Sequence, residues 1–170
     1  MMPDFRCFRM PECFLPWIDE QTRVLVVGTM PSVASLQAEM YYAHPQNRFW
    51  SYMAQILNDG MPVMSAAERK SLLLKNHIGL WDSLAHCERQ GSLDSAIMNA
   101  VPNDFSRFKQ IKYYLFNGQK AYQFFKKYNG ALLMLQNYAV LPSTSPANAS
   151  IKNDVKFAYW REAVKKSLRA

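Results

Sequence analysis

Three short segments of the chain carry backbone groups and side chains that could bind a small polar ligand. They read GTMPS at residues 28–32, YAHPQNRFW at 42–50 and LPSTSPAN at 141–148. A glycine such as Gly28 lets a ligand come close to the backbone. The amide of Asn47 offers one acceptor and two donors, so it could hold a water molecule without changing charge. The segments therefore indicate hydrogen-bonding chemistry carried by uncharged groups.

Several other kinds of catalytic chemistry lack their motifs. The sequence has neither a glycine-rich phosphate loop followed by a GK pair nor an HExxH motif, which removes the commonest nucleotide-hydrolase and zinc-protease interpretations. Its three cysteines have no paired ligand spacing, so they indicate neither a disulfide framework nor a zinc site. We therefore expect no metal and no cofactor.

The three segments lie next to elements that hydrophobic patterns predict. The uninterrupted apolar run within residues 23–28 is typical of a strand buried on both faces, as in parallel sheets. Apolar residues at helical spacing, and a capping box of Ser65 and Glu68, indicate helices between the strands. The predicted strands are 23–28, 78–84, 113–116 and 138–141, and the predicted helices are 47–57, 65–74, 105–111, 122–128 and 157–168.

Strands that alternate with helices imply right-handed crossovers and a parallel sheet that is covered on both faces. We predict an α/β fold, a three-layer α/β/α sandwich with a mainly parallel four-stranded sheet. It forms one domain over residues 1–170, in which 1–21 is an irregular segment that wraps the core. Ligands in such sheets bind outside the carboxyl ends of the strands, so the loops after Gly28, Leu84, Phe116 and Leu141 are expected to form the site.

The balance of charge favours a polyanionic partner. Twenty Lys and Arg against thirteen Asp and Glu give a net charge of +7, with basic residues concentrated in 109–127 and 152–169. Nucleic acid is the partner that this charge indicates, and a merely basic protein is the alternative. No apolar run reaches about twenty residues and no signal peptide is visible. We expect a cytoplasmic monomer that does not bind membranes.

Together the three segments resemble the active-site motifs of the uracil-DNA glycosylase superfamily. The form YYAHPQNRFW resembles its hypoxanthine (deoxyinosine) branch, and GLWDSL from Gly79 and FNG at 116–118 also fit. The resemblance covers most of the chain. It implies a monofunctional, metal-independent enzyme that hydrolyses the N-glycosidic bond of a deaminated base in DNA, hypoxanthine or uracil, and leaves an abasic site. No lysine in the motifs could form a Schiff base, so no lyase activity is expected.

The resemblance also implies roles for individual residues. Many members place an Asn or Asp in the first motif, where this chain has Thr and Met, and the hypoxanthine branch relies instead on the residue that is Asn47 here. Asn47 is therefore expected to be catalytic, although it could also cap the helix that it opens. An aromatic ring is a platform for an extruded base. The expected base-binding residues are Gly28, Thr29, Met30, Tyr42 and Asn117.

The serine-rich loop departs from the family pattern. Many members have a histidine there that stabilises the leaving base, whereas this chain has hydroxyl side chains, and Ser145 is expected to be the second catalytic residue. The loop is expected to enter the duplex and contact DNA through Ser143, Thr144, Pro146 and Asn148. An ordinary solvated loop is the alternative.

Three residues and three functions stay open at this point. His44 either organises its loop or acts as an acid, and Asp82 and Asp94 either activate water or cap and pair as structural residues. The alternative functions are a mismatch-specific uracil-DNA glycosylase, a non-catalytic relative that binds DNA lesions, and a hydrolase of free nucleosides or nucleotides.

Overall fold

The computed structural model describes residues 12–170. The strands are β1 (Val24–Gly28), β2 (Ile78–Asp82), β3 (Leu84–Glu88), β4 (Met98–Pro102), β5 (Tyr113–Asn117) and β6 (Asn137–Leu141). The helices are α1 (Val33–Ala38), α2 (Phe49–Leu57), α3 (Ala66–Lys75), α4 (Gln119–Asn129) and α5 (Asn153–Arg169), with short 3-10 helices at Asp94–Ala96 and Gly130–Met134.

Within residues 12–170 the main sheet contains four strands in the order β2-β1-β5-β6, and every neighbouring pair is parallel. These are the four strands that the apolar runs predict, and the predicted parallel sheet is confirmed. A separate antiparallel pair, β3 and β4, follows β2. The sequence patterns did not predict this pair, because both strands mix apolar with polar residues and β4 is largely exposed.

The main sheet is covered on both faces, because successive side chains of a strand point in opposite directions. Val24 and Val26 of β1 pack into a core that includes side chains of α2, α3 and α5. Leu25 and Val27 pack on the other face against α4 and the 105–111 segment. The predicted α/β/α layering is therefore present.

The N-terminal segment contributes backbone pairing to the edge of the sheet. The N–H of Trp17 donates to the carbonyl of Leu80 at 2.9 Å, and the N–H of Leu80 donates back at 3.1 Å. A Cβ on Gly79 would lie 2.5 Å from the carbonyl oxygen of Trp17, so only glycine allows this approach. Residues 12–21 thus lie against β2, and the remainder of the predicted irregular segment, 1–11, lies outside the described residues.

The helix predicted over 105–111 is wrong. This segment forms turns, in which Ser106 donates its N–H to the side chain of Asp104 at 2.9 Å. Phe105 is instead fixed by its N–H, which donates to the Asn129 side chain at 3.2 Å. Its apolar side chains still enter the core beside α4, which explains why their spacing suggested a helix.

The side chain of Trp160 in α5 lies in the core on the α2 side of the sheet. Its side chain is fully buried, and its indole N–H donates to the carbonyl of Pro142 at 2.8 Å. Replacing Trp160 with Ala should lower the free energy of unfolding by about 3–5 kcal/mol, because a large cavity remains. The neighbouring Tyr159 is 55% exposed, and Tyr159→Ala should change it by less than about 0.5 kcal/mol. Urea unfolding measures both, and equal effects would contradict this packing.

Candidate active site

A cleft of about 550 Å³ opens where the loops after β1, β5 and β6 meet. The structure brings all three sequence motifs to this one cleft, together with Asp82 at the end of β2 and residues from the 3-10 helix at Asp94–Ala96. Every residue that the sequence suggested for the site lines it: Gly28, Thr29, Met30, Tyr42, Asn47, Asn117, Ser143, Thr144, Ser145, Pro146 and Asn148.

Gly28 lies where two polar groups approach the backbone. A Cβ at this position would lie 2.4 Å from Oδ1 of Asp82 and 2.9 Å from the hydroxyl of Tyr42. Gly28 and Asp82 are also partners in the register of β1 and β2. The glycine is therefore required by the space that these two side chains occupy, and it keeps both polar groups at the floor of the cleft.

The loop after Gly28 leaves backbone donors unused. The side chain of Met30 is buried against Leu84 and Cys87, and the carbonyl of Thr29 accepts from the N–H of Leu84 at 3.2 Å. Within the described residues, the N–H groups of Thr29 and Met30 have no hydrogen-bond partner. This loop can therefore offer two backbone donors to a bound ligand.

Tyr42 combines an unusual backbone with a protected hydroxyl. Its φ of 54° lies in the left-handed region, which costs an ordinary residue free energy and often occurs at functional sites. The ring packs on Phe49 with a centroid distance of 4.4 Å. Burial, and then the nearby carboxyl of Asp82, raise the pKa of the Tyr42 hydroxyl. The hydroxyl therefore keeps its proton at neutral pH and stays a donor.

Asn47 precedes Arg48, the N-cap of α2, and also faces the cleft, so the expected capping position is one residue too early. Its Oδ1 accepts from the N–H of Phe49 at 3.0 Å, and its own N–H donates to the carbonyl of His44 at 2.9 Å. In the part of the chain that the structure describes, its Nδ2 donates to no protein group. His44 accepts the N–H of Gln46 on Nδ1 at 3.1 Å, an arrangement that organises the loop.

Thr144 joins the serine-rich loop to the rest of the site. Its side chain is 1% exposed; its hydroxyl accepts from Nδ2 of Asn117 at 2.9 Å, and its N–H donates to Oδ1 of Asn117 at 3.0 Å. The carbonyl of Thr144 accepts from the N–H of Arg48 at 3.1 Å. One buried residue therefore holds together the end of β5, the serine-rich loop and the segment before α2.

The other hydroxyls of this loop are available to a ligand. The hydroxyl oxygen of Ser143 accepts the N–H of Ser145 at 3.2 Å, and that of Ser145 accepts the N–H of Ala147 at 3.3 Å. Both interactions use a lone pair and leave the hydroxyl proton free to donate. The loop packs closely on Gly118, whose φ is 96° and whose Cβ would lie 3.1 Å from Cβ of Ser143.

Two carboxyl groups, those of Asp82 and Asp94, also line the cleft. Asp82 is 3% exposed, and its Oδ2 has no hydrogen-bond partner among residues 12–170. Burial raises its pKa to about 7, the charge of Asp94 adds to this, and Arg89 opposes it. Burial also raises the pKa of Asp94, although Arg89 lies only 3.3 Å from its Oδ1. Of the two alternatives for Asp82, capping or pairing is not seen among residues 12–170, and Arg89 pairs with Asp94 instead.

Sequence reasoning did not include several of the residues that line the cleft. They include Ser92, before the 3-10 helix, and Gln119 and Lys120, at the start of α4. Only the position of α4, directly after the FNG segment, could have indicated the last two.

Residues 12–170 contain no group of three His, Cys, Asp or Glu side chains placed to hold a metal ion. None of the helices in the same range has the length and apolar character of a membrane span.

The fold and the site define an α/β domain with a cleft at the carboxyl edge of a parallel sheet, which contains hydrogen-bonding groups on an otherwise apolar lining and is of a size that accepts a nucleobase. The chain belongs to the uracil DNA glycosylase superfamily, whose family model matches residues 15–168. The superfamily membership that the motifs predict is therefore confirmed.

Individual relatives support the same placement. The chain is 33% identical over 160 residues to a hypoxanthine DNA glycosylase of Methanosarcina barkeri, covering 90% of this chain and 97% of the relative. A hypoxanthine DNA glycosylase of Methanosarcina acetivorans is 35% identical over 135 residues, 77% of this chain and 84% of the relative. The solution NMR structure of a protein proposed to be a uracil DNA glycosylase, also from M. acetivorans, matches with a TM-score of 0.79 and 31% identity, over 95% and 99% of the two chains.

The pKa of Asp82 predicts how stability depends on pH. In the unfolded chain an aspartate loses its proton near pH 3.8, whereas the folded protein keeps this proton until about pH 7. Between these values the folded state binds more protons, so the free energy of unfolding falls as pH rises, by on the order of 4 kcal/mol in total. In the Asp82→Asn variant this decrease in the free energy of unfolding with pH should be absent. Urea unfolding at pH 5 and pH 8 measures about 3 kcal/mol of this fall, and parallel losses in both proteins would contradict the assignment.

Proposed function

We propose that the protein is a monofunctional DNA glycosylase that removes hypoxanthine from DNA and leaves an abasic site for base excision repair. The observation that carries this proposal is the convergence of three superfamily motifs on one cleft of about 550 Å³. A volume of this order is typical of small-molecule sites. Membership of the superfamily and the names of two curated relatives support the same activity and substrate.

The reaction depends on hydrogen-bond donors that face the leaving base rather than on a charged catalytic residue. Water adds its oxygen to C1′ of the sugar while the C1′–N bond breaks and its electron pair leaves with the base. The base then takes up a proton, so the products are free base and an abasic site. Donors that face the base stabilise the negative charge that gathers on it, each by about 3 kcal/mol. The free N–H groups of Thr29 and Met30 and the hydroxyl of Ser145 are the donors assigned to this task.

Tyr42 and Asn47 hold the two reactants. The ring of Tyr42 lines the cleft and offers a face for the flat base. Oδ1 of Asn47 uses one lone pair for the N–H of Phe49 and keeps a second, which can accept a proton of the attacking water. This hydrogen bond and catalysis are compatible, since the bond fixes the direction in which the amide points.

DNA binding is assigned to the rim of the cleft and to the basic surface. Ser143, Pro146 and Asn148 leave surface on the cleft rim, while buried Thr144 positions their loop. The net charge of +7 attracts the phosphate backbone, so binding should weaken as salt rises. A base that is damaged or mispaired costs less to extrude from the duplex. We also propose that the protein acts as a monomer, because one chain supplies every motif of the cleft.

A panel of DNA substrates tests the proposal. Duplexes with a single inosine, uracil or xanthine are incubated with excess protein, and abasic sites are detected by strand cleavage in alkali. We expect excision from the inosine duplex, no release from free deoxyinosine, and no loss of activity with EDTA. Preference for uracil would favour a uracil-DNA glycosylase, and tight binding without cleavage would favour a non-catalytic lesion-binding protein.

Variants of Asn47 test the catalytic assignment. Asn47→Ala should reduce single-turnover excision of hypoxanthine at least about 100-fold, because the attacking water loses its partner. Asn47→Ser should lose as much activity while keeping a side-chain oxygen that can accept from the N–H of Phe49, which separates catalysis from stability. The exposed neighbour Gln46→Ala is the matched control and should excise normally. Near-normal excision by Asn47→Ser in a folded protein would refute the role.

A further inference from the structure

The floor of the cleft contains a carboxyl group that the reaction described above does not use. Asp82 is 3% exposed and lines the cleft. Its Oδ1 lies over the backbone of Gly28, on the same side as the hydroxyl of Tyr42. Its Oδ2 has no hydrogen-bond partner in residues 12–170. Buried polar groups without partners are uncommon in folded proteins, and a functional role is one of the usual reasons for them.

The groups that face Asp82 come from four parts of the chain and do not neutralise its charge. Asp94 of the 3-10 helix interacts unfavourably with a charged Asp82. Cys13 of the N-terminal segment and Tyr41 and Tyr42 before α2 also lie near Asp82, and their raised pKa values keep them uncharged. Arg89 is the cation that favours it.

Arg89, however, forms its hydrogen bonds with groups other than Asp82. Its guanidinium donates to Oδ1 of Asp94 at 3.3 Å and to the carbonyl of Pro31. Lys120, at the start of α4, also acts on Asp94. Both cations therefore interact with Asp94. Asp82 has a pKa of about 7, so its neutral form is favoured below about pH 7.

A neutral carboxyl group and a carboxylate would have opposite effects on the reaction. The base gathers negative charge as the C1′–N bond breaks, so a carboxylate at the floor would repel it. The O–H of a neutral carboxyl group would instead donate to a carbonyl oxygen or ring nitrogen of the base. In a site that excludes water such a donor is worth much more than it is in solution.

We propose that Asp82 is a further catalytic residue, which as a neutral acid donates a hydrogen bond from the cleft floor to the departing base. The inference rests on the proposed function of the cleft. Asp82 keeps its proton throughout: the electron pair of the broken bond stays on the base, the base takes its proton from the attacking water, and the carboxyl group ends the reaction unchanged.

Single-turnover excision from an inosine duplex, measured between pH 5.5 and 9, tests this role. In the wild type the rate should be constant at low pH and fall about tenfold for each pH unit above a midpoint of about 7, since the protonated form acts. Asp82→Asn keeps an N–H donor that does not titrate, so its rate should stay within about tenfold of the low-pH wild type and be flat above pH 7. The rate of Asp82→Ala should be independent of pH and about 100-fold below that of the wild type at low pH.

Asp94→Asn provides a second, independent measurement. It removes a negative charge and frees Arg89, and both changes favour the ionised form of Asp82. The midpoint of the pH profile should therefore move to lower pH. Thermal unfolding of each variant verifies that it is folded.

Two results would overturn the inference while leaving the proposed function intact. If folded Asp82→Asn is as slow as Asp82→Ala, a carboxylate is needed and Asp82 acts as a base. If all variants keep the wild-type rate and pH profile, Asp82 is only structural. Absence of excision by the wild type from inosine, uracil and xanthine duplexes would instead refute the proposed function, and this inference with it.

Discussion

The site depends on a single steric constraint, the absence of a side chain at Gly28. This glycine ends the strand that pairs with both β2 and β5, and the space a Cβ would fill is occupied by Asp82 and by the hydroxyl of Tyr42. Because both groups can approach the backbone, the end of β2 and the segment before α2 meet at one place. A larger residue would separate them and close the floor of the cleft.

Hydrogen bonds from buried groups then fix the remaining wall. Asn117 and Thr144 bond twice to each other, and Thr144 also accepts from the N–H of Arg48. These contacts connect residues that are far apart in the chain, and Trp160 supports the same loop through Pro142. A loop held in this way presents its hydroxyls in one arrangement before a substrate arrives. Preorganised donors of this kind are the main source of catalysis where charge develops in the transition state.

The same features reduce stability. Asp82 is buried without a partner for Oδ2, Tyr42 has a left-handed backbone, and two N–H groups after Gly28 have no partner within residues 12–170. Each departs from the arrangement that would stabilise the fold best. They are grouped at one cleft, whereas the two cores on either face of the sheet are conventionally packed. This distribution is typical of an enzyme whose active site trades stability for function.

The sequence by itself determined the four parallel strands, the order of the motifs and the helix cap at Ser65, because apolar runs and capping patterns are local signals. The tertiary structure alone decided the rest. It showed that 105–111 forms turns, that β3 and β4 pair, that Arg89 takes Asp94 as its partner and that Asp82 is left buried beside Gly28. Sequence could suggest that Asp82 stands at a strand end, but not whether it is charged. Its burial and its partners are supplied by segments distant in the chain, and these set its pKa.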